Sequence, residues 1–504
     1  MGSKGSTTLW VVSAAMLVVP VTATGTAEAL PAIGATLHTG LAAAQWTVNA
    51  FFLTFAAFMA STGSLADRVG RRRVFAGGLA LFGAAMLLAA LASAVTVLVA
   101  ARALAGVGAA AAATGGSALL AQAFPAGAAR DRAFAVFGTT LGLGLAFGPV
   151  TAGLLVTSLG WRAFFGLAAV ALLPSLLASP LLAESRRPSG GAMDWGGAVT
   201  FTLALTGFTL GVVEGPPLGW THPAVLGGFA ACAVLLAAFG VIERRHPHPL
   251  VDLSLLRQAR FMAISSMPVL LAFGFVALTI VLPPYLMATS GYTAGQAGLT
   301  LMLLTGPALV MPPIIGALAT RLSQRGTLVT TLLLVAAGTA LLALVPGGAG
   351  AASRAVPLLL IGTGFGISLA VMDGAAISAV PSGQAGMAAG LFNTFRITGE
   401  VVAIALLGAL LSAVTQARLA GRYGPDAAPA ATSALVQGDM REASVLLGGQ
   451  APHAVDVATA AYTDALHLAL WLLAALSLLG ALVVARLLTV RRPAAARAEQ
   501  PLTA

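Results

Sequence analysis

Charge is what this chain has least of. Only 8% of its 504 residues are Asp, Glu, Lys or Arg, against about 25% in soluble domains. A water-soluble fold of this length would need far more polar surface. Lysine is scarcer still: Lys4 is the single lysine among 26 basic residues, which outnumber 16 acids. In a soluble chain that excess would suggest nucleic acid, but here the basic residues sit between apolar runs, so no nucleic-acid partner is expected. One cysteine, Cys232, leaves no intrachain disulfide. The six histidines are scattered near ends and loops, so no zinc-ligand spacing exists. No hydrolase elbow or phosphate loop is present. GLGLAFG near Gly142 and GTGFG at Gly362 follow no strand, which argues against a dinucleotide site. No metal, no cofactor and no enzyme chemistry are expected.

What is there is apolar: 58% of residues are hydrophobic and the mean hydropathy is +0.95. A membrane-crossing helix needs roughly 20 mostly apolar residues to cover about 30 Å of hydrocarbon. Fourteen such runs can be marked, from Leu9–Pro31 through Gly386–Val414 to Ala465–Leu488. The first reads as an uncleaved span rather than a signal peptide. With the N-terminus inside, nineteen Lys and Arg fall on inner segments and five on outer ones. That bias predicts a multi-pass protein of the cytoplasmic membrane with both termini cytoplasmic. One long exterior segment, 415–464, is expected as an irregular loop with short helices. A cytoplasmic tail occupies 491–504.

Several motifs break the apolar monotony. GSLADRVGRRR follows the second run, and GALATRLSQRG follows the tenth from Gly316, with Gly, Leu, Ala and Arg in register and Thr320 opposite Asp67. Such an echo fits repeated halves around a central site. ARALAGVG begins at Ala101, GLGLAFGPVTAG covers Gly142 to Gly153, DWGGAVTF precedes the seventh run and AGMAAGLFNTFRITG opens the thirteenth. Together with the run count, these segments resemble the 14-span drug:proton antiporter family of the major facilitator superfamily, of the actinobacterial multidrug and antibiotic exporter type. The resemblance covers essentially the whole chain. It implies an all-α integral membrane fold: a six-helix bundle over 1–190, two linking transmembrane helices over 191–258, and a second six-helix bundle over 259–490. It also implies proton-coupled efflux of a small lipophilic substrate by alternating access, powered by the proton gradient, in a monomer whose other partners are protons and the lipid bilayer. The glycines and proline of the fifth run, Gly144, Gly148, Pro149 and Gly153, match the antiporter helix motif, and Gly63, Asp67, Arg68, Gly70 and Arg71 match the conserved-type loop.

The residues support their own reading. Asp67 adds nothing to a positive-inside signal, so it is expected to act as a latch, pairing with an arginine or a positive helix N-terminus in one conformer. Arg72 and Arg73 read as orientation signals. Small residues at spacings of four on the fifth helix permit close backbone approach, and Pro149 can kink it, so this helix is expected as a gasket between the halves. Intramembrane charges cost about 2.5–3.5 kcal/mol each at mid-span and are functional suspects. They are Arg102, Arg396, Glu400, Asp373 and Glu28, the proton-coupling candidates, while Glu214 reads as a rim residue. Glu400 lies one turn from Arg396 and is expected beside it. Asp373 has no sequence-local partner, which makes it the sharper candidate for a titrating acid. Substrate-binding candidates are Asn49, Phe52, Met372 and Asn393. The chain departs from the family at Thr22, where the first helix commonly carries an acid, and at Ala105 in the fourth-helix motif, so coupling is expected to have moved to Glu28, Asp373 or Glu400. Three alternatives stay open: a non-transporting sensor or scaffold on this fold, a membrane-embedded transferase, and proton-coupled uptake of a small solute.

Overall fold

In lipid every backbone amide must be satisfied within its own segment, which leaves helices as the solution for long apolar runs. A computed structural model describes residues 3–39, 41–125, 127–185, 194–246, 254–318, 321–380, 385–448 and 452–488. The tail 491–504, Thr320 and the inner arginines Arg186, Arg187, Arg491, Arg492 and Arg497 lie outside the described residues. Fourteen helices are long and apolar enough to cross a membrane, and no strand occurs among the described residues. They are α1 (Ser3–Leu37), α2 (Leu41–Val69), α3 (Arg71–Ala90), α4 (Val95–Ala123), α5 (Ala128–Leu159), α6 (Trp161–Ala178), α7 (Trp195–Leu218) and α8 (Pro223–Arg245). Then come α9 (Ala259–Ser290), α10 (Ala294–Thr305 and Pro307–Leu318), α11 (Gln324–Leu342), α12 (Ala351–Ser378), α13 (Ala385–Tyr423) and α14 (Pro452–Leu487).

The helices gather around two main cores. One takes its buried residues mostly from α1–α6, with Phe51, Phe75, Phe82, Phe134 and Phe165 as its bulk. The other takes them from α9–α14, including Phe275, Tyr285, Phe392 and Tyr462. A smaller cluster ties Phe201, Leu205 and Phe239 of α7 and α8 to Ala57 and Ala60 of α2 and Leu391 of α13. The linking pair therefore lies along the seam between the halves. α7 starts where Asp194 caps it, its Oδ1 accepting from Gly197 N at 2.7 Å.

α9 is not a uniform helix. Five residues, Ala272–Val276, form a π turn. Pro268 lies one turn before it and Pro283 and Pro284 follow. Such turns absorb the register change that a freed carbonyl imposes.

The segment 415–464, expected as an irregular exterior loop with short helices, is largely helical. α13 continues to Tyr423, α14 already begins at Pro452, and short helices Ala428–Val436 and Met440–Leu446 fill the space between. Ala428, Ala431, Leu435 and Ala443 are buried against the same core as Leu419 and Tyr462. The apolar-run criterion stopped at the first charges, Arg418 and Asp464. Those two meet each other as an exposed ion pair at 3.3 Å, so the helices continue past them.

Candidate functional site

The halves touch at one end of the molecule, the end carrying Asp67. There the chain turns from α2 to α3 at Gly70, whose φ of +128° only glycine takes readily. Asp67 is buried and accepts two bonds from Arg71, from Nε at 3.2 Å and Nη2 at 3.0 Å. Its other oxygen accepts from the backbone N–H of Met387 at 2.9 Å. Met387 lies in the first turn of α13, where amide protons have no partner within the helix and the helix dipole is positive. One carboxylate thus joins the α2–α3 turn of one half to a helix start of the other. Arg68, in the same turn, is half-buried.

Arg72 and Arg73 do more than mark orientation. Their Nε atoms lie 3.6 and 3.7 Å from the Glu184 carboxylate, which also accepts from Arg72 N at 3.1 Å. Arg71 N donates to Ser185 O at 2.9 Å. The turn is thereby strapped to the segment after α6. Sequence reading missed Glu184, although the argument that singled out Asp67 applies to it equally: an acid contributes nothing to topology.

Above this end the helices meet through glycine. A methyl on Gly390 of α13 would sit 2.6 Å from the Met59 carbonyl oxygen of α2, and one on Gly142 of α5 would sit 2.8 Å from that of Ala308 on α10. Gly138 abuts the Leu369 carbonyl of α12. A methyl on Gly316 of α10 would sit 2.6 Å from the Ala135 methyl of α5. The two echoing segments therefore have equivalent places. The end of α2 meets α13, and the end of α10 meets α5.

The fifth-helix expectation needs dividing. Gly138 and Gly142 form the seam with the other half. Gly144 and Gly148 instead press on Pro20, Val21 and Thr24 of α1, within their own half. Gly153 has no atom within 4 Å of a would-be side chain. The spacing of four holds within each pair, but Gly144 follows Gly142 by only two residues, roughly half a turn, so the pairs lie on opposite faces of α5. One face looks at the second half and the other at α1. Pro149 sits in a helix that stays continuous from Ala128 to Leu159.

The intramembrane charges form two separate groups. Arg102 is fully buried, its Nε donating to Thr47 O of α2 at 2.9 Å. Its guanidinium carbon lies 4.4 Å from the Phe51 ring centre and 5.8 Å from that of Phe165. Its Nη1 and Nη2 have no hydrogen-bond partner among the described residues. Asn49 and Phe52 share this half; both are half-buried, and Phe52 meets Phe51 edge-on at 5.5 Å.

The second group lies in the other half. Asp373 of α12, which has no sequence-local partner, finds one on the next helix: Arg396 Nη1 of α13 is 3.5 Å from its Oδ2. Arg396 and Glu400, expected side by side, form no ion pair with each other among the described residues. Glu400 remains the neighbour of Arg396, one turn on along the same face of α13. Met372 is buried in the adjoining core. Asn393 is buried, donates from Nδ2 to Ala389 O at 2.8 Å, and leaves its Oδ1 without a donor. Glu28 of α1 is exposed and Glu214 half-buried, and no ion pair reaches either among the described residues. Thr22, where the family commonly has an acid, spends its hydroxyl on Val18 O and Val19 O of its own helix, each at 3.0 Å.

Residues 12–404 match a family model described as Major Facilitator Superfamily. The chain is 29% identical over 392 residues to the multidrug resistance protein Stp of Mycobacterium tuberculosis, covering 78% of this chain and 73% of that one. It is 28% identical over 487 residues to the tetracenomycin C resistance and export protein of Streptomyces glaucescens, covering 94% and 90%. Among solved structures it superimposes on the proton:xylose symporter XylE with a TM-score of 0.62 at 12% identity, covering 95% of each chain. The human organic anion transporter MFSD10 gives a TM-score of 0.57 at 14% identity, covering 93% and 98%. These last two likenesses are of fold alone.

Proposed function

We propose, from the premise that this chain belongs to the Major Facilitator Superfamily, that it exports lipophilic drugs or antibiotics across a cytoplasmic membrane in exchange for protons. The superfamily is one of transporters, not enzymes, and relatives of this chain carry the names of drug-resistance and antibiotic-export proteins. The observation that carries the reading is the Asp67 contact between the halves. A transporter that alternates access needs contacts present in one conformer and absent in the other. The bonds from Arg71 and Met387 N to Asp67 are of that kind. With the arginine-rich turn placed inside, this contact belongs to a conformer closed at the cytoplasmic end.

The chain itself supplies the coupling groups, so no cofactor is invoked. The proton gradient is the driving force, and the small substrate passes between the halves. The experiment is accumulation of fluorescent lipophilic dyes in cells that express the chain. Lower accumulation that a protonophore abolishes, and that Asp67→Asn abolishes at equal expression, is the expected result. Unchanged accumulation for every dye and antibiotic, with the protein inserted, favours the sensor reading, for which Thr22 in place of an acid is the supporting observation.

A further inference from the structure

At the end opposite Asp67, α11 and α14 leave a hollow of about 350 Å³ between them. α14, like α2, runs towards the Asp67 end, so its start lies at the other end, the one the arginine count places outside. The hollow is lined by Pro346 and Gly347 of the turn after α11 and by Asp456, Thr459, Thr463 and His467 of α14. Those four follow each other at steps of three and four, so they share one helix face. The face is held in place. The other flank of the same turns buries Ala454, Val457, Ala458 and Ala461 in the second core. His467 Nε2 donates to Val345 O at 2.9 Å, which pins the turn after α11. Thr463 Oγ1 lies 3.0 Å from the Tyr285 hydroxyl of α9.

Not all of the lining is engaged. No hydrogen bond or ion pair reaches the Asp456 carboxylate or the Thr459 hydroxyl among the described residues. Asp464, also on the wall of the hollow, is matched: Arg418 Nη1 of α13 lies 3.3 Å from its Oδ2. That pair is exposed, so it contributes little to stability. A guanidinium has five N–H donors, and most of those on Arg418 are left for another anion. The hollow thus offers an unmatched carboxylate and, nearer the membrane, a guanidinium with donors left over. The eight residues from Asp456 to Asp464 rise about 12 Å. An ammonium and a phosphate joined by two carbons, with a contact at each end, cover that length.

Below the hollow the surface turns apolar. Leu468 follows Asp464 by one turn and Trp471 follows His467 by one turn, so both continue its face towards the membrane. Both are exposed, as are Leu472 and, at the outer end of α11, Leu341 and Leu344. Tryptophan favours the boundary between headgroups and acyl chains. A polar cup above an apolar strip matches an amphiphile read from water inwards: ammonium first, then phosphate, then acyl chains.

We propose that the hollow between α11 and α14 binds one outer-leaflet phospholipid whose headgroup carries a primary ammonium. The ammonium sits on Asp456 and Thr459, the phosphate on Arg418, and the acyl chains along Leu468 and Trp471. A headgroup with a phosphate and no ammonium is the poorer occupant, because it leaves Asp456 unmatched and brings a second negative charge near it. A quaternary ammonium is poorer too, since it has no N–H to give Asp456 or Thr459. The site uses none of the residues between the halves, so it stands apart from the export reading.

The test places the full-length protein in phosphatidylcholine nanodiscs with a trace of phosphatidylethanolamine that carries a diazirine near the start of one acyl chain. After illumination, peptide mass spectrometry locates the adducts. They are expected on 468–472 of α14 and 341–344 of α11. A phosphatidylglycerol probe with the same chain is expected to label these segments roughly tenfold less, the equivalent of one charge-assisted hydrogen bond. Asp456→Asn brings the phosphatidylethanolamine probe down to that level and Asp456→Glu keeps it, while adducts elsewhere on the chain stay constant and report an intact fold. Equal labelling by the two probes, or Asp456→Asn labelled like the wild type, overturns the proposal. Glycerophosphoethanolamine, the headgroup without chains, is expected to leave labelling unchanged at the concentration of the probe. Suppression by it assigns the hollow to soluble amines, and suppression by tetraphenylphosphonium assigns it to lipophilic cations. Either result overturns the lipid assignment.

Discussion

A guanidinium stays charged in a protein, so how Arg102 is held matters more than its depth. One nitrogen is bonded to Thr47 O, the Phe51 face lies beneath it, and two nitrogens are without partners among the described residues. Burying a charge that is neither paired nor fully hydrogen-bonded is costly, so an apolar group of similar volume is expected to be no worse tolerated there. Arg102→Met is therefore expected to keep or raise the melting temperature. If the charge serves transport, dye efflux is lost in the same variant, and thermal unfolding read beside efflux separates the two roles. Asp67 behaves oppositely. Asp67→Asn weakens bonds that are worth about 1.5–3 kcal/mol when charged, a roughly tenfold to hundredfold shift towards the conformer open at this end. Spin labels on the facing ends of α2 and α13 are expected to move apart in the variant. At this scale the sequence was informative about identity and poor about partnership. Asp67 and Arg102 stand out as charges in apolar runs. That Arg396 leans to Asp373, twenty-three residues earlier, depends on how α12 and α13 are set side by side, which no local pattern encodes.

Element by element, α5 offers the clearest test. Gly138 touches a backbone carbonyl of the other half, and backbone does not yield as a side chain end does. Gly138→Ala is expected to insert normally and to abolish transport by holding the latch end apart. Gly153→Ala, with nothing within 4 Å, is expected to transport like the wild type. Equal activity of the two variants would remove the seam from the mechanism. The spans themselves were legible, because fourteen apolar runs became fourteen helices. Their ends were less so. α13 and α14 pass well beyond the apolar runs because the short exterior helices and the Arg418–Asp464 pair give their polar extensions something to pack on. The spacings of four among the glycines were visible. That the two-residue step from Gly142 to Gly144 divides them between opposite faces was legible too, but which partner each face meets was not.

At the scale of the whole molecule, the two halves meet at the Asp67 end through Asp67 and the neighbouring glycines, and the proposed export couples opening of that end to discharge of an acid between them. The most direct measurement uses inverted membrane vesicles with an acidic interior, following substrate entry and proton exit in the same sample. The account predicts that each addition of a transported lipophilic compound releases protons from the vesicles and that a protonophore stops both fluxes. Substrate movement that proceeds at full rate without a proton gradient, with no proton released, would contradict it.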